Sequence, residues 1–307
     1  MATIEIKAKP AAGAALTPKD YESSVKPIWC PGCGDFAVLA SLKEVFAKMA
    51  LDPAKVVFAS GIGCSSQISH YFSSYGMHAV HGRVLPTATG IKLANPDLTV
   101  VVAGGDGDGF AIGMGHFMHA VRRNIDLCYI VMDNQTYGLT KGQFSPTAAI
   151  GYDSPTTPEG SIERPINPLI LAIAAGAQYV ARGFSGNPRQ LSRLIYEGIE
   201  HRGFALVDVL SPCVTFNKLN TYDWFRKNVH DLDKDPSYKP DDPFKAIEME
   251  KSLGKIPLGT VYRAPEAQRD KAFEDLLFSR VKGKPVDFPT DVQKVRKQYE
   301  ELLSEFR

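Results

Sequence analysis

Residues 98–108, LTVVVAGGDGD, join a short apolar run to the motif Gly105-Asp106-Gly107. A second apolar run, LCYIVM at 127–132, is followed at once by Asp133-Asn134. Short runs rich in Val and Ile are typical of strands that are buried on both faces of a parallel sheet. Each polar motif therefore comes where a buried strand ends, which is the edge of a parallel sheet at which ligands bind.

The two motifs together predict a magnesium and diphosphate site of the kind that holds thiamine diphosphate. The carboxylate of Asp106, the amide oxygen of Asn134 and a nearby backbone carbonyl are hard ligands that suit Mg²⁺. Either motif alone is a common turn sequence. A dinucleotide-binding loop is the nearest alternative, but Phe110 stands where the third glycine of G-x-G-x-x-G would fall, counted from Gly105.

Outward from this segment, short apolar runs alternate with amphipathic stretches. The alternation predicts the α/β class, with a mostly parallel sheet and helices on both of its faces. The predicted strands are 55–60, 98–103, 127–132, 178–181 and 204–210, and the predicted helices are 35–50, 112–123 and 187–201.

The same pattern divides the chain into three parts. We predict an N-terminal extension at 1–27, one cofactor-binding domain at 28–217, and a C-terminal extension at 218–307 that packs on its own domain or on a partner subunit. Residues 137–168 are rich in Gly, Pro, Ser and Thr, which predicts a long loop that serves a site or a partner. A last helix is predicted at 290–306.

The composition excludes several classes of function. With 307 residues and 44% hydrophobic residues, the chain can bury a substantial core. The net charge is +1 and the sequence has no basic block, so the charge pattern does not predict binding to nucleic acid or to an acidic membrane. No apolar run reaches membrane-spanning length, and the first residues lack the apolar centre of a signal peptide, so we expect a cytoplasmic protein.

Four of the five cysteines are predicted to meet at one edge of the sheet. Cys30 and Cys33 form a C-x-x-C just before the first helix, while Cys64 and Cys213 follow predicted strands. Four thiolates suit either a 4Fe-4S cluster or a structural zinc ion. Zinc ribbons bring two tight pairs, whereas this chain has one pair and two isolated cysteines, which favours the cluster. Cys128 lies within an apolar run and is predicted to be core.

These residues resemble the β subunit of 2-oxoacid:ferredoxin oxidoreductases, over residues 28–217. The segments that carry the resemblance are WCPGCGD at 29–35, SGIGCS at 60–65, HGR at 81–83, GIKLANPD at 90–97, GGDGD at 104–108, DN at 133–134, YGLTKGQ at 137–143 and SPC at 211–213. The resemblance implies a thiamine-diphosphate-binding fold. It also implies oxidative decarboxylation of a 2-oxoacid to its acyl-coenzyme A with ferredoxin as electron acceptor, and the reverse carboxylation.

The resemblance also implies which residues bind the cofactors. One 4Fe-4S cluster would be bound by Cys30, Cys33, Cys64 and Cys213, and Mg²⁺ by Asp106, Asn134 and the carbonyl of Thr136. The implied thiamine diphosphate contacts are Ile62, Gly63, Cys64, Ser65, His81, Gly82, Gly105, Asp106, Gly107, Asn134, Thr136 and Gly138. A glutamate that activates the aminopyrimidine ring is expected from a partner α subunit, so this chain alone should be inactive.

The substrate is the most open part of the prediction. Gln67, Leu139 and Lys141 are candidate contacts to the substrate or to coenzyme A. Relatives often carry a cation three residues after the cysteine at 64, whereas Gln67 is neutral, which removes a simple argument for a dicarboxylate. The segments 75–78 and 211–217 resemble the 2-oxoglutarate branch, so 2-oxoglutarate is favoured over pyruvate.

Two further readings stay open. One is a non-redox thiamine decarboxylase subunit with structural zinc, and the other is a non-catalytic thiamine-binding protein. His81 could be a core or turn residue, although the resemblance favours a phosphate contact. The other histidines near these motifs, His70, His78, His116 and His119, are predicted to be surface or packing residues.

Overall fold

A computed structural model describes residues 16–285 and Ser304, and an eight-stranded, mostly parallel sheet forms its centre. The strands are β1 Val56–Ser60, β2 Tyr75–His78, β3 Thr99–Gly105, β4 Leu127–Asp133, β7 Tyr179–Phe184, β8 Phe204–Leu210, β9 Val229–Asp231 and β10 Ile256–Arg263, with β5 Thr136–Tyr137 and β6 Gln143–Phe144 in a separate hairpin. The order across the sheet is β2-β1-β3-β4-β8-β7-β10-β9. Every neighbouring pair is parallel except β7 and β10.

Helices cover both faces of the sheet. They are α1 Asp35–Lys48, α2 Val84–Ala94, α3 Asp106–Phe110, α4 Met114–Arg122, α5 Pro168–Ala174, α6 Pro188–Glu200, α7 Tyr222–Asn228, α8 Pro243–Ser252 and α9 Phe273–Val281. Alternate residues of β3 divide between two apolar cores: Val100 and Val102 pack with α2 and α4, while Val101 packs on the opposite face with α1 and α6. Because both faces are covered, β3 is apolar and buried from Val100 to Ala103.

The α/β fold predicted from the sequence is confirmed. The strand predicted at 204–210 has those bounds, and the other predicted strands and helices agree within three residues. Asn187 caps α6 by accepting a hydrogen bond from the backbone N–H of Gln190, and Pro188 fits the first turn because it has no N–H to satisfy. The helix predicted at 290–306 lies outside the described residues.

Several elements were missed by the sequence pattern. Strand β2 carries mostly exposed side chains and includes Gly76, so it has no apolar run. Strands β9 and β10 belong to the predicted C-terminal extension, and they continue the main sheet because β10 pairs antiparallel with β7. No helix within the described residues is long and apolar enough to cross a membrane.

Candidate cofactor site at the carboxyl edge of the sheet

Loops that follow β1, β2, β3 and β4 enclose a cavity of about 280 Å³ at the carboxyl edge of the sheet. Its lining residues are Ile62, Gly63, Cys64, Ser65, His81, Gly105, Asp106, Gly107, Asp108, Asn134, Thr136, Tyr137, Gly138, Leu139 and Thr140. All of the positions predicted to contact thiamine diphosphate or Mg²⁺ are among them except Gly82. Parallel strands explain this convergence, since their carboxyl ends meet at one edge.

Asp106, the first residue of α3, is held at the floor of this cavity. It is 1% exposed, and its Oδ2 accepts hydrogen bonds from the backbone N–H of Gln135 at 3.1 Å, from the hydroxyl of Thr147 at 2.6 Å and from that of Ser145. Nearby, Asn134 Oδ1 accepts from the backbone N–H of Thr136 at 3.0 Å. The structure thus brings the three predicted Mg²⁺ ligands together.

The surroundings of Asp106 suit a divalent cation. Asp106, Asp133 and Asp208 are all nearly inaccessible to solvent, and burial raises the pKa of each carboxyl. Asp208 Oδ1 is buried without a hydrogen-bond partner among the described residues, while Oδ2 pairs with Arg182 at 2.9 Å. A bound cation would favour the ionised form of these carboxyl groups and offset their mutual repulsion. The donor set therefore fits Mg²⁺.

Asp108 was not predicted as a site residue, yet it joins three of the loops. Its Oδ1 accepts from the backbone N–H of Ile62 at 3.0 Å and of Gly82 at 2.8 Å, and His81 Nδ1 lies 2.8 Å from the same oxygen. Gly61 is required here because a Cβ would come within 1.8 Å of Asp108 Oδ2. The repeated acid in Gly-Asp-Gly-Asp was the signal in the sequence that could have indicated it.

Tyr137 packs over the Gly-Asp-Gly turn. Its hydroxyl donates to the carbonyl of Gly107 at 3.1 Å, and a Cβ on Gly107 would lie 2.3 Å from the ring. Burial, followed by the charges of Asp106 and Asp108, raises the pKa of Tyr137 to about 12. The hydroxyl therefore stays protonated at neutral pH and can act as the donor. Gly107 must remain glycine for the ring to cover the turn.

Backbone hydrogen bonds gather the segments that carry four cysteines. The indole N–H of Trp29 donates to the carbonyl of Cys64 at 2.7 Å, and the N–H of Gly34 donates to the carbonyl of Pro212 at 3.3 Å. These contacts join the C-x-x-C loop to the loops of Cys64 and Cys213. Among residues 16–285, no group of three or more His, Cys, Asp or Glu side chains is arranged so as to hold a metal ion.

Two of the four thiols approach the same glycine. A Cβ on Gly138 would lie 3.4 Å from Cys64 Sγ and 3.8 Å from Cys213 Sγ, so both sulfurs face the same glycine. Burial raises the pKa of Cys64 to about 11 and that of Cys33 further still. Without a metal these thiols are protonated at neutral pH, and metal binding would release their protons.

Beside the cysteines, Asp35 anchors the start of α1. It is 1% exposed, and its Oδ1 accepts from the hydroxyl of Ser211 at 2.7 Å, which holds the loop before Cys213 against the C-x-x-C loop. Burial raises the pKa of Asp35 to about 6.

Of the three candidate substrate contacts, only Leu139 lines the cavity. Gln67 Oε1 lies 3.2 Å from His70 Nδ1. Lys141 has a φ of 83°, and its charge lowers the pKa of Cys64, although burial outweighs this effect. Cys128 is 3% exposed in the core, as predicted.

Fold and site together define a thiamine-diphosphate-binding domain. A family model described as thiamine pyrophosphate enzyme, C-terminal TPP binding domain, matches residues 57–209. A second family model, which describes the C-terminal part of the pyruvate ferredoxin oxidoreductase β chain, matches residues 213–277.

Known relatives identify the family. A 2-oxoacid:ferredoxin oxidoreductase subunit beta from Saccharolobus solfataricus is 45% identical over 76% of this chain and 81% of its own. A 2-oxoglutarate synthase subunit from Archaeoglobus fulgidus is 47% identical over 64% of this chain and 73% of its own. A solved 2-oxoglutarate:ferredoxin oxidoreductase from Magnetococcus marinus, with 2-oxoglutarate, coenzyme A and succinyl-CoA bound, matches with a TM-score of 0.84 and 40% identity, over 96% of this chain and 99% of that one. The chain belongs to the family of 2-oxoacid:ferredoxin oxidoreductase β subunits, which confirms the resemblance described above.

Proposed function

We propose that this chain is the thiamine-binding subunit of an enzyme that converts 2-oxoglutarate and coenzyme A to succinyl-CoA and CO₂, with ferredoxin as electron acceptor, and that runs the reverse carboxylation. One observation carries the proposal. Gly138 lines the cavity described above and lies against the sulfurs of both Cys64 and Cys213. Cys64 also lines the cavity, so a cluster bound by these thiolates would lie beside it and could accept its electrons.

The residues of the cavity have separate tasks. Asp106, Asn134 and the carbonyl of Thr136 would hold Mg²⁺, and the loops joined by Asp108 would orient the diphosphate. When bound, thiamine diphosphate supplies the electron sink for decarboxylation. Tyr137 and Leu139 would shield the reacting part from water, since both border the cavity.

Four thiolates would hold one 4Fe-4S cluster. Trp29 fixes the carbonyl of Cys64, and Ser211 joins the Cys213 loop to Asp35, so the segments stay in place before a cluster is bound. Such a cluster accepts one electron at a time, which matches a ferredoxin acceptor. Zinc bound by the same thiolates is the competing assignment.

An α subunit is the required partner. The cavity of about 280 Å³ lies just below the range of roughly 300–1,000 Å³ for small-molecule sites, which suits the diphosphate half of the cofactor. The partner would supply the glutamate that activates the aminopyrimidine, together with parts of the coenzyme A and substrate sites. We further propose a cytoplasmic location, because all five cysteines are free thiols and such thiols persist in reducing compartments.

The central experiment is anaerobic co-purification with the α subunit, followed by thiamine, magnesium, iron and zinc analysis. Asp106→Ala should abolish retention of thiamine diphosphate and Mg²⁺ while iron content stays near that of the wild type. Cys213→Ala should do the reverse. Zinc in place of iron, with CO₂ release that needs no electron acceptor, would support the non-redox alternative.

Substrate choice is tested separately on the reconstituted complex. A panel of 2-oxoacids with coenzyme A and ferredoxin should give the highest kcat/KM with 2-oxoglutarate, as the names of the relatives suggest. A higher kcat/KM with pyruvate would reject 2-oxoglutarate but leave the reaction class intact. Cofactor binding without turnover on any 2-oxoacid would reject the enzymatic proposal.

A further inference from the structure

The turn after β4 carries two of the three proposed Mg²⁺ ligands, and its backbone is in an uncommon conformation. Asn134 and Thr136 flank Gln135, whose φ is 61°. This left-handed region is disfavoured for a residue that has a side chain, so the surrounding contacts must hold it in place. One such contact lies within the turn, since Asn134 Oδ1 accepts from the backbone N–H of Thr136 at 3.0 Å.

The peptide group that joins Asn134 to Gln135 is held from both sides. Its N–H donates to Asp106 Oδ2 at 3.1 Å. Its C=O accepts from the side-chain Nδ2 of Asn217 at 3.0 Å. The N–H and the C=O of a planar trans peptide point in opposite directions, so Asp106 and Asn217 together fix the rotation of this peptide. That rotation determines where the side chain of Asn134 and the carbonyl of Thr136 lie.

Asn217 is oriented by its own loop, so that only its donor faces the turn. The residue is 2% exposed, and its Oδ1 accepts from the backbone N–H groups of Leu219 at 3.1 Å and of Asn220 at 2.9 Å. The backbone N–H of Asn217 donates to the carbonyl of Cys213 at 3.1 Å. Because an amide oxygen only accepts and an amide nitrogen only donates, these contacts assign Oδ1 to the loop and Nδ2 to the carbonyl of Asn134.

We propose that Asn217 is a positioning residue for the Mg²⁺ site. It holds the carbonyl of Asn134, keeps the left-handed turn at Gln135 formed, and so keeps two of the three proposed Mg²⁺ ligands in place. Asn217 does not line the cavity, so it acts through Asn134 and not on the cofactor itself. The inference rests on the proposed function and adds a residue to which that function assigns no task.

The test uses the complete complex with its α subunit, without substrate. Binding of Mn²⁺, a paramagnetic substitute for Mg²⁺, is measured by electron paramagnetic resonance in the presence of thiamine diphosphate. Asn217→Asp keeps the size of the side chain and the oxygen that accepts from Leu219 and Asn220, but it replaces the donor to Asn134 by an acceptor. We expect Mn²⁺ to bind about 10- to 100-fold more weakly, the range seen when partners behind a metal ligand are removed.

Asn124 provides the matched control, because its buried amide has the same pattern of contacts at the opposite edge of the sheet. It is 9% exposed, its Oδ1 accepts from the backbone N–H of Phe204 at 2.9 Å, and its Nδ2 donates to the carbonyl of Asp270 at 3.3 Å. Asn124→Asp should lower Tm but leave the Mn²⁺ affinity at the wild-type value. Equal loss of affinity in the two variants would overturn the proposal, since a general loss of stability would then explain both.

A second substitution tests the role of the turn. Glycine adopts a positive φ without a steric penalty, so Asn217→Asp/Gln135→Gly should recover part of the Mn²⁺ affinity that Asn217→Asp loses. No recovery would show that Asn217 does not act through the turn, and would overturn the proposal.

Asn217→Ser replaces Asn217→Asp if that variant does not fold. Its hydroxyl can still accept from the backbone of the loop, but it is one atom shorter than the amide that reaches Asn134. Wild-type Mn²⁺ affinity in the folded Asn217 variant would reject this inference alone. A wild-type complex that binds neither Mn²⁺ nor thiamine diphosphate would reject the proposed function, and this inference with it.

Discussion

Asp108 shows how a single side chain can shape a whole cavity. Its buried carboxylate accepts hydrogen bonds from two backbone N–H groups, one from the loop that follows β1 and one from the loop that follows β2, and His81 Nδ1 lies 2.8 Å from the same oxygen. Hydrogen bonds to a charged acceptor contribute about 1.5–3 kcal/mol each, more than those between neutral groups. Asp108 therefore acts as a positioning residue for the two loops.

Asp108→Asn is expected to weaken thiamine diphosphate binding by about 10- to 100-fold, the range seen when partners behind a cofactor ligand are removed. The amide keeps the volume but loses the charge. Asp153→Asn, in an exposed part of the chain, is the matched control and should bind as the wild type does. The affinity for thiamine diphosphate is measured by calorimetry on the complex. An unchanged affinity in the Asp108 variant would show that the loops after β1 and β2 keep their positions without this carboxylate.

His201 gives the protein a predictable acid sensitivity. It is 4% exposed, and neither ring nitrogen has a hydrogen-bond partner among the described residues. Burial, followed by the charges of Arg269 and Arg263, lowers the pKa of His201 to about 4. An unfolded histidine titrates near 6.5, so between pH 6.5 and 4 the unfolded chain takes up a proton that the native state does not.

Stability should therefore be lost as the pH falls through this window, by up to ~3 kcal/mol from this residue. His201→Gln should flatten the decrease in Tm between pH 7 and 4.5, whereas His119→Gln, at an exposed position, should not. Burial raises the pKa values of Asp35 and Asp208 to about 6, so these carboxyl groups add stability as the pH falls. Their effect is the same in the wild type and in both histidine variants, and it therefore cancels when the Tm curves are compared. Parallel curves of Tm against pH for the wild type and His201→Gln would contradict the prediction that His201 lowers stability in acid.

At the level of elements, two neighbouring helices use glycine for different reasons. In α3, Gly107 allows the Tyr137 ring to lie against the turn, since a Cβ would be 2.3 Å from it. In α4, Gly115 is exposed and a Cβ there would meet nothing within 4 Å. Glycine within a helix costs roughly 0.5–1 kcal/mol relative to alanine unless a close approach requires it.

Gly115→Ala should raise stability by about 0.5–1 kcal/mol, through the lower backbone entropy of the unfolded chain. Gly107→Ala should instead displace Tyr137 and reduce thiamine diphosphate retention. Thermal unfolding and cofactor content of the two variants, compared with the wild type, decide both points. A stable Gly107→Ala protein with full cofactor content would mean that the ring moves without consequence.

For the whole molecule, the C-terminal region is part of the main structural unit. Strand β10 extends the sheet beyond β7, and Glu250 of α8 reaches Arg182 at 3.1 Å with a side chain that is 2% exposed. Arg182 also pairs with Asp208, whose carboxyl lies in the electrostatic field of Asp106. A chain of buried charges thus runs from the C-terminal region toward the cofactor cavity.

Glu250→Ala should destabilise the protein by about 3–5 kcal/mol, because breaking a buried pair leaves the partner charge without full compensation. Glu248→Ala, two residues earlier and exposed, should change stability by less than about 0.5 kcal/mol. Denaturant unfolding of both variants gives the comparison. Similar denaturant midpoints for Glu250→Ala and Glu248→Ala would show that Asp208 alone compensates the charge of Arg182.

Much of the fold was predictable because its signals are local. The apolar runs that form β3, β4 and β8 are buried on both faces, so their composition alone indicates parallel strands between helices. Strand β2 was not predictable, because its residues are mostly exposed and its pairing with β1 comes from tertiary structure. The long loop at 137–168 was expected, whereas the short hairpin of β5 and β6 within it was not.

For the site, the sequence by itself determined which motifs end which strands, and hence that Asp106, Asn134, Cys64 and Cys213 share one edge. The fixed polarity of parallel strands makes that conclusion independent of detailed packing. Only the tertiary structure decided that Asp108 joins Ile62 and Gly82, or that Glu250 reaches Arg182 across 68 residues. Contacts between residues so far apart leave no trace in local periodicity, because they depend on how completed elements pack against one another.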